Sequence, residues 1–483
     1  MAETDRDAAA SVAVIDVGKT NVKLSAATAD GHIVDTLAAP NTVLPGPPWR
    51  HHDLGGLSDF VFSGLAALAR RHPLERVIAA GHGSGGMLVA ADPDAGGDGL
   101  AAPMIDYEQQ PPPGLDDAYR PLTGGFLDRG SAVMMASTHQ ARQLFWMERE
   151  RPDALAAAAA YLGVPQYWAF RLSGRLASEV SFLGAQSHLW NVPERRWTDI
   201  VTRRGWERLM PPFAHAGATL GRIRPELARR FALPPDLAVH VGCHDSTANA
   251  YRYRAAGRPE LMVVSTGTWI VALAGAVPLE RLSEDAGMTL NADVDGEPVG
   301  GALTMGGREF AAIAGPQPNG ARATAADVAA LIEAGTMALP SFGDNDGQFP
   351  GTAGRGRIAG PPPEGPAMRL ALAVLTTALL TTACVDRLGA GRAVVLDGSY
   401  LRDPLYAALV SGLRPDAVTV FNEESDGVAA GAALLAGHAR RTAPVRLAIE
   451  KTVPFAHPGL AAYARAWRAA AGANANVNAG AAR

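Results

Sequence analysis

The sequence predicts an α/β protein of two related domains, and three observations carry that expectation. The chain has 483 residues, more than one hydrophobic core usually supports, because single cores stop growing beyond about 250 to 300 residues. Residues 11–24 read as an apolar strand, a GKTN turn and a second strand, and the pattern returns over 261–274 as LMVVSTGTWIVALA, which is internal duplication. The rest alternates short apolar runs with stretches of helical period, as in sheets covered by helices. One domain is therefore expected over 1–250, a second over 251–445, and an extension over 446–483, with the switch near 246–260. Each domain offers a hairpin turn to a shared cleft.

The elements follow in order. Gly56 to His72 reads as an amphipathic helix with Ser58 as N-cap and Phe60, Leu65 and Leu68 on one face. Val77 to Ala80 starts a strand, Pro152 to Leu172 reads as helix, connection and helix, and Trp190 to Arg204 as a surface-packing segment. In the second half, 323–334 and 368–388 have helical period, the latter stopping at Gly389. Val394 to Leu396 is a buried strand, Pro404 to Leu413 a helix, Ala417 to Phe421 a strand, and a helix opens near Ser425 and runs to His438. Stretches rich in Gly and Pro at 92–99, 109–114 and 343–366 are loops, and the small, polar tail after Ala469 is expected to fray.

Composition narrows the function classes. The chain is 48% hydrophobic and 19% charged with a net charge of −5, so it can bury large cores and has no basic run to hold nucleic acid. Its two cysteines, Cys243 and Cys384, have no metal-ligand spacing and fit a reducing compartment. The start MAETDRDAAA is acidic where an export signal would be basic and then apolar, and a cytoplasmic location is expected. The longest apolar run, Leu370 to Val385, carries four threonines and falls short of the roughly 20 residues that span a bilayer. It reads as a buried helix, and no membrane partner is expected.

The chemistry gathers at the turns. In AVIDVGKTN a strand ends in Asp16, Gly18 admits close approach of a ligand, and Lys19, Thr20 and Asn21 supply donors suited to phosphate oxygens. Turn geometry alone also accounts for such residues. The second turn, STGTW, offers Thr266, Gly267 and Thr268 in the same way. Phosphoryl transfer needs positioning, Mg²⁺ and a base for the attacking hydroxyl. Asp245, in VHVGCHDSTANA, follows a strand and opens a helix, where it reads either as that base or as an N-cap, with His244 structural. The segment VVLDGSYL places Gly398 and Ser399 between a strand and a helix, a layout on which a nucleoside can lie. Gly427 and Gly431 sit four apart on one helix face, which reads as close packing or as room for adenine.

Taken in order over about residues 12–440, these segments resemble the FGGY carbohydrate kinase family, with its DxGxT phosphate loop, GxHD base loop, SxGTW second phosphate loop and Gly-turn adenosine segment. The resemblance implies two ribonuclease-H-like domains of the actin and sugar kinase type with an interdomain cleft. It implies ATP and Mg²⁺ as cofactors and a small sugar as the partner, with a homodimer as the assembly considered. Asp245 would be the general base and Asp16 would lie near Mg²⁺. Gly18, Lys19, Thr20, Asn21, Thr266, Gly267 and Thr268 would face the phosphates, and Gly398 and Ser399 the adenosine.

The loop GHGSGGM and the segment PMIDYEQQ occupy the sugar-contacting places, giving His82, Ser84, Asp106, Tyr107 and Glu108, because sugars are held by directional hydrogen bonds and flat aromatic faces. Ser173 and Glu179 fall on positions that are architectural in the family. The combination of GKTN with IDYE is most similar to rhamnulokinase and fuculokinase relatives, which implies a ketose such as L-rhamnulose or L-fuculose phosphorylated at O1. A kinase for xylulose, ribulose or glycerol is the alternative enzyme, and an actin-like ATPase or an inactive sugar sensor the alternative of another class. Two departures stand out: Lys19 replaces the usual Thr and either adds a phosphate contact or is solvated, and Gly398 is followed by Ser399 and Tyr400 where further glycines are usual.

Overall fold

A computed structural model describes residues 9–475 apart from Asn319 and Ser425, and these form two compact units. The first takes the chain up to Gly257 with Leu290–Pro298 and Asp426–Val445. The second takes Arg258–Thr289, the stretch from Val299 to the loop before Asp426, and the chain from Arg446. The first break falls inside the expected switch. The helix after that loop belongs to the first unit, although a linear division put it in the second.

The first unit is built on a mixed sheet of seven strands: β1 (Val12–Val17), β2 (Asn21–Ala27), β3 (Ile33–Pro40), β4 (Arg76–Gly81), β5 (Thr219–Arg222), β6 (Ala238–His240) and β7 (Cys243–His244). β1, β2 and β3 form an antiparallel meander, and β4 runs parallel to β1. β6 and then β7 also pair parallel to β4. The registers set Asp16 beside Ala80, and His244 beside Gly81. Three neighbouring strands therefore end together, and in open α/β sheets ligands bind outside those carboxyl ends.

The second unit repeats the scheme with β8 (Met262–Thr266), β9 (Ile270–Gly275), β10 (Pro298–Thr304), β11 (Val394–Gly398), β12 (Thr419–Asn422) and β13 (Ile449–Lys451). β8, β9 and β10 are an antiparallel meander, and β11 pairs parallel to β8 with Thr266 beside Gly398. The duplication read from the two hairpins is thus present in the topology.

Several local readings change. The first helix is Leu54–Ala69, capped by Asp53, whose carboxylate accepts from the Gly56 amide at 2.9 Å. Ser58 lies inside it and donates to the Leu54 carbonyl. A strand, Ala160–Gly163, separates the helices Pro152–Ala157 and Val164–Ser173. The helix expected to open near Ser425 runs over Gly427–Ala436, and Ser425 lies outside the described residues. Gly431 faces the helix Asp245–Ala255, where an added Cβ would stand 1.8 Å from the Ala248 carbonyl; packing, not adenine, explains this glycine.

The stretch after Ala469 is helix to Ala475 and is docked. Trp467, Ala471 and Asn474, at helical spacing, are buried, and the Asn474 amide donates to the Pro340 carbonyl at 3.0 Å. Gly365–Gly389 is long and apolar enough to cross a membrane, with a mean hydropathy of 1.8, yet 83% of its most apolar stretch is buried in the protein. The hydroxyls of Thr376, Thr377 and Thr381 donate to carbonyls one turn back, which lets these polar side chains sit in a core.

Behind the loop that carries Tyr107, His139 and His188 stack with ring centroids 3.6 Å apart. His139 Nε2 accepts from the Met134 amide, so its Nδ1 donates to the Gln186 carbonyl and the ring is neutral. His188 bonds the Tyr119 and Ser131 hydroxyls. Ser137, two residues before His139, ties this layer to the loop by donating to the Tyr107 and Gln109 carbonyls. Burial holds both imidazoles well below their ordinary value of 6.5. The unfolded chain takes up these protons and the folded chain does not, so the stabilisation is full above pH 6.5 and is lost as pH falls below it. The slope is about 1.4 kcal/mol per pH unit for each histidine. His188→Asn, which keeps a residue tolerant of the left-handed backbone at this position (φ 63°), should flatten the fall in denaturation midpoint below pH 6.5; a slope equal to that of the parent chain would contradict this.

Candidate active site

The carboxyl ends of β1, β4 and β7 carry Asp16, His82 and Asp245 respectively. Asp245 is the first residue of the helix Asp245–Ala255, with His244 as the N-cap position, so the capping alternative is not what the backbone shows. Asp245 Oδ1 accepts from the Ser246 amide at 2.5 Å and lies 3.1 Å from His244 Nε2. The carboxylate keeps 27% of its surface exposed and is reachable. His244 also bonds the Thr247 hydroxyl through Nδ1, so it orients Asp245 from a buried position.

Asp16 stands near Asp245 and Asp426, with Lys23 as the nearby cation. Lys23 faces Asp16 across the β1–β2 register and pairs with Asp426 at 3.1 Å. Burial first, then repulsion from Asp245, pushes the Asp16 carboxyl up to about 7. Carboxylate oxygens gathered in this way are the donor type that suits a hard divalent cation. Among the described residues no group of three such side chains could hold a metal ion by itself, so an ion here would need further ligands, as Mg²⁺ takes from substrate phosphates.

Beside this cluster lies a group of polar and aromatic side chains. His82 is buried, and neither ring nitrogen has a partner. Burial, with His52, Lys19 and His244 nearby, pushes it down to about 3, so the neutral ring offers one donor and one acceptor. Tyr107 stands 5.5 Å from it, centroid to centroid. The loop after β4 is fixed from below, where Gln140 and Gln143 donate to the Gly83 and Ser84 carbonyls at 2.8 and 2.7 Å; Ser84 itself is buried. Glu108 lies 3.9 Å from Lys19 and is one-third exposed.

Two expectations change here. Asp106, expected to meet a sugar hydroxyl, is 2% exposed and is held by Lys19 on one oxygen and by Arg50 at 2.6 Å on the other. It joins Lys19 to Arg50, with both oxygens engaged. Lys19, expected among the phosphate donors, is turned to Asp106, while Thr20 and Asn21 stay exposed at the turn. Gly18 closes that turn through its amide to the Asn21 carbonyl.

Arg50, His52 and Asn41 complete this polar group and were not singled out from the sequence. They sit in PNTVLPGPPWRHHD, a non-periodic segment where the one cue is a polar triplet just ahead of an apolar helix. Asp426 was likewise missed, in a turn that reads as a helix start. Ser173 and Glu179 are architectural in the structure: Ser173 donates to the Ala169 carbonyl, and buried Glu179 caps Val180–Leu183.

In the second unit the Thr266 hydroxyl donates to the Asp397 carbonyl at 2.7 Å and accepts from the Tyr400 amide at 3.2 Å. It therefore staples the STGTW turn to β11, and its hydroxyl, expected to meet phosphate, is engaged within the protein. Thr268 is exposed, and the Gly267 amide closes the turn on the Trp269 carbonyl. Ser399 donates to the Thr266 carbonyl. Gly398 has φ +96°, and a Cβ there would meet the Thr266 carbonyl oxygen at 2.1 Å.

Residues 103–251 match the N-terminal domain model of the FGGY family of carbohydrate kinases, and residues 258–444 match the carbohydrate kinase FGGY C-terminal domain. The chain belongs to the FGGY family of carbohydrate kinases. It is 24% identical over 294 residues to the L-fuculokinase of Escherichia coli strain K12, a match spanning 58% of this chain and 60% of that protein. It is 30% identical over 142 residues to the xylulose kinase of Klebsiella pneumoniae, covering 29% of this chain and 28% of that one. The chain thus spans about three fifths of the length of the L-fuculokinase it matches. Among solved structures, a carbohydrate kinase from Novosphingobium aromaticivorans superposes with a TM-score of 0.84 at 29% identity over 96% of this chain and 99% of that one. A xylulose kinase from Lactobacillus acidophilus gives 0.79 at 16% identity over 97% and 99%, a likeness of fold.

The geometry of the second turn is testable by itself. Gly398→Ala combines a strained positive φ with a backbone collision and should destabilise the second unit by about 1–3 kcal/mol. Urea denaturation checks this; an unchanged midpoint would show that the β8–β11 junction tolerates a side chain.

Proposed function

We propose that this FGGY family member transfers the γ-phosphoryl group of MgATP to a hydroxyl of a small sugar, with a ketose of the L-fuculose or L-rhamnulose kind, phosphorylated at O1, as the substrate class. The observation that carries the reading is the convergence of Asp16, the neutral and unpartnered His82, and the accessible Asp245 at the ends of three adjacent parallel strands of the first unit. A polyol satisfies what that arrangement leaves open. Its hydroxyls can both donate to and accept from His82, and its apolar face can lie on Tyr107. The similarity to L-fuculokinases favours a ketose.

In this mechanism the acceptor hydroxyl donates a hydrogen bond to Asp245, which takes the proton as the new oxygen–phosphorus bond forms and the bond to the β-phosphate oxygen breaks. His244, neutral because burial lowers its pKa, holds the Asp245 carboxylate in place at Oδ1. Thr20 and Asn21 in the first turn, and Gly267 and Thr268 in the second, supply donors to the phosphates. Gly398 and Ser399 border the nucleoside. Asp16 would hold Mg²⁺, which when bound neutralises phosphate charge. Exclusion of water from the site would keep transfer to sugar ahead of hydrolysis. A cytoplasmic location and a homodimer accompany this reading.

Asp245→Asn keeps the shape and the contact with Ser246 but removes the base. In an ADP-release assay with MgATP across ketoses, aldoses and polyols, the unaltered chain should turn over one sugar class. The variant should lose at least ~10² in kcat while nucleotide binding persists. Sugar-independent hydrolysis by the unaltered chain would favour an ATPase, and full activity of the variant would remove Asp245 from its role.

A further inference from the structure

Lys19 is the member of the first turn that the phosphate-binding reading leaves unused. Among the described residues its ammonium meets the 106–108 loop in three ways: an ion pair with Asp106, an approach of 3.9 Å to Glu108, and a position 5.4 Å from the Tyr107 ring centroid. From these contacts we propose that Lys19 is a positioning residue that couples the nucleotide-phosphate turn to the polyol loop 106–108, so that binding at either tightens the other. This rests on the reading of the two sites given above.

The link is stiff for a physical reason. Asp106 is 2% exposed, and a buried carboxylate needs its cations. Its other partner, Arg50, has 42% of its side chain exposed, so Lys19 is the more enclosed of the two. The turn is tied a second time through Asn41. The Asn41 side-chain amide donates to the Gly18 carbonyl at 2.8 Å, and its backbone amide donates to the Thr20 carbonyl at 2.9 Å. With Nδ2 committed to a carbonyl, Asn41 Oδ1 accepts from His52 Nδ1 at 3.0 Å.

His52 in turn donates its own amide to the Met104 carbonyl at 3.2 Å. Residues 18, 19 and 20 are all held from the side of the 104–109 segment, while the Thr20 and Asn21 side chains remain exposed for phosphate. A shift of the turn toward phosphate pulls on Asp106. Closure of the loop on a polyol, in reverse, fixes the turn, and such coupling is reciprocal in free energy.

Hydrogen–deuterium exchange on the full chain tests this, using the ATP analogue in which an imido group replaces the β,γ-bridging oxygen. In the unaltered protein the analogue alone should slow exchange at the turn amides 18–21. It should also slow exchange at the amides of Asp106, Glu108 and Gln109, which bond to Arg50 and Asp106. In Lys19→Met the turn should be protected and the loop should not; in Lys19→Arg both should be.

With a sugar that supports turnover, the sugar should raise the analogue's affinity roughly tenfold in the unaltered chain and scarcely at all in Lys19→Met. A purely structural role for Lys19 would lower stability without separating turn from loop. If Lys19→Met does not fold, Lys19→Met with Asp106→Asn removes the buried charge as well and serves in its place. Loop protection that persists without Lys19, or turn protection without loop protection in the unaltered chain, overturns the coupling alone. Protection at neither segment overturns the nucleotide reading and the coupling with it.

Discussion

The parallel pairing of β1, β4 and β7 is the constraint on which the site of the first unit depends. It brings Asp16, the loop of His82, and Asp245 to one edge, although they lie far apart in sequence. The cost is electrostatic, because Asp245 and Asp426 both repel Asp16, and Lys23 lowers that cost. An arrangement held against its own repulsion is common at functional sites. The helix beginning at Asp245 adds a positive dipole end where the charge gathers.

A second polar layer keeps the walls in place. Asp106 and Asn41 are both spent inside the protein, and each joins the first turn to the segment that bears Tyr107 and Glu108. Beneath them, Gln140 and Gln143 fix the loop after β4, and the stacked His139 and His188 back the layer that Ser137 ties to Tyr107. The walls are thus built largely from buried polar side chains whose hydrogen bonds specify one geometry.

How far this was legible in the sequence depends on whether a local rule or a distant contact decides each residue. The two hairpins were legible because strand alternation and a small-residue turn are local, and their repetition revealed the duplicated sheets. The first helix start was misplaced because Gly55 and Gly56 mask helical propensity, so Asp53 was passed over for Ser58. The tail after Ala469 was read by composition, and the spacing of Trp467, Ala471 and Asn474 was the missed sign of a docked helix. Lys19 and Thr266 were read as phosphate donors from their turns, but their bonds run to Asp106 and Asp397, which no local pattern predicts. Arg50 and His52 carry no periodic signature, and Asp426 joins the first unit only through the path of the chain.

The family is established by domain models on both halves of the chain, while the acceptor is a matter for chemistry. The most direct test is ³¹P NMR of the purified protein with MgATP and the ketose panel, following where the γ-phosphorus goes. The account predicts a new phosphomonoester resonance coupled to the O1 methylene protons of one ketose, growing in step with ADP. Appearance of inorganic phosphate alone, at a rate indifferent to sugar, would contradict it.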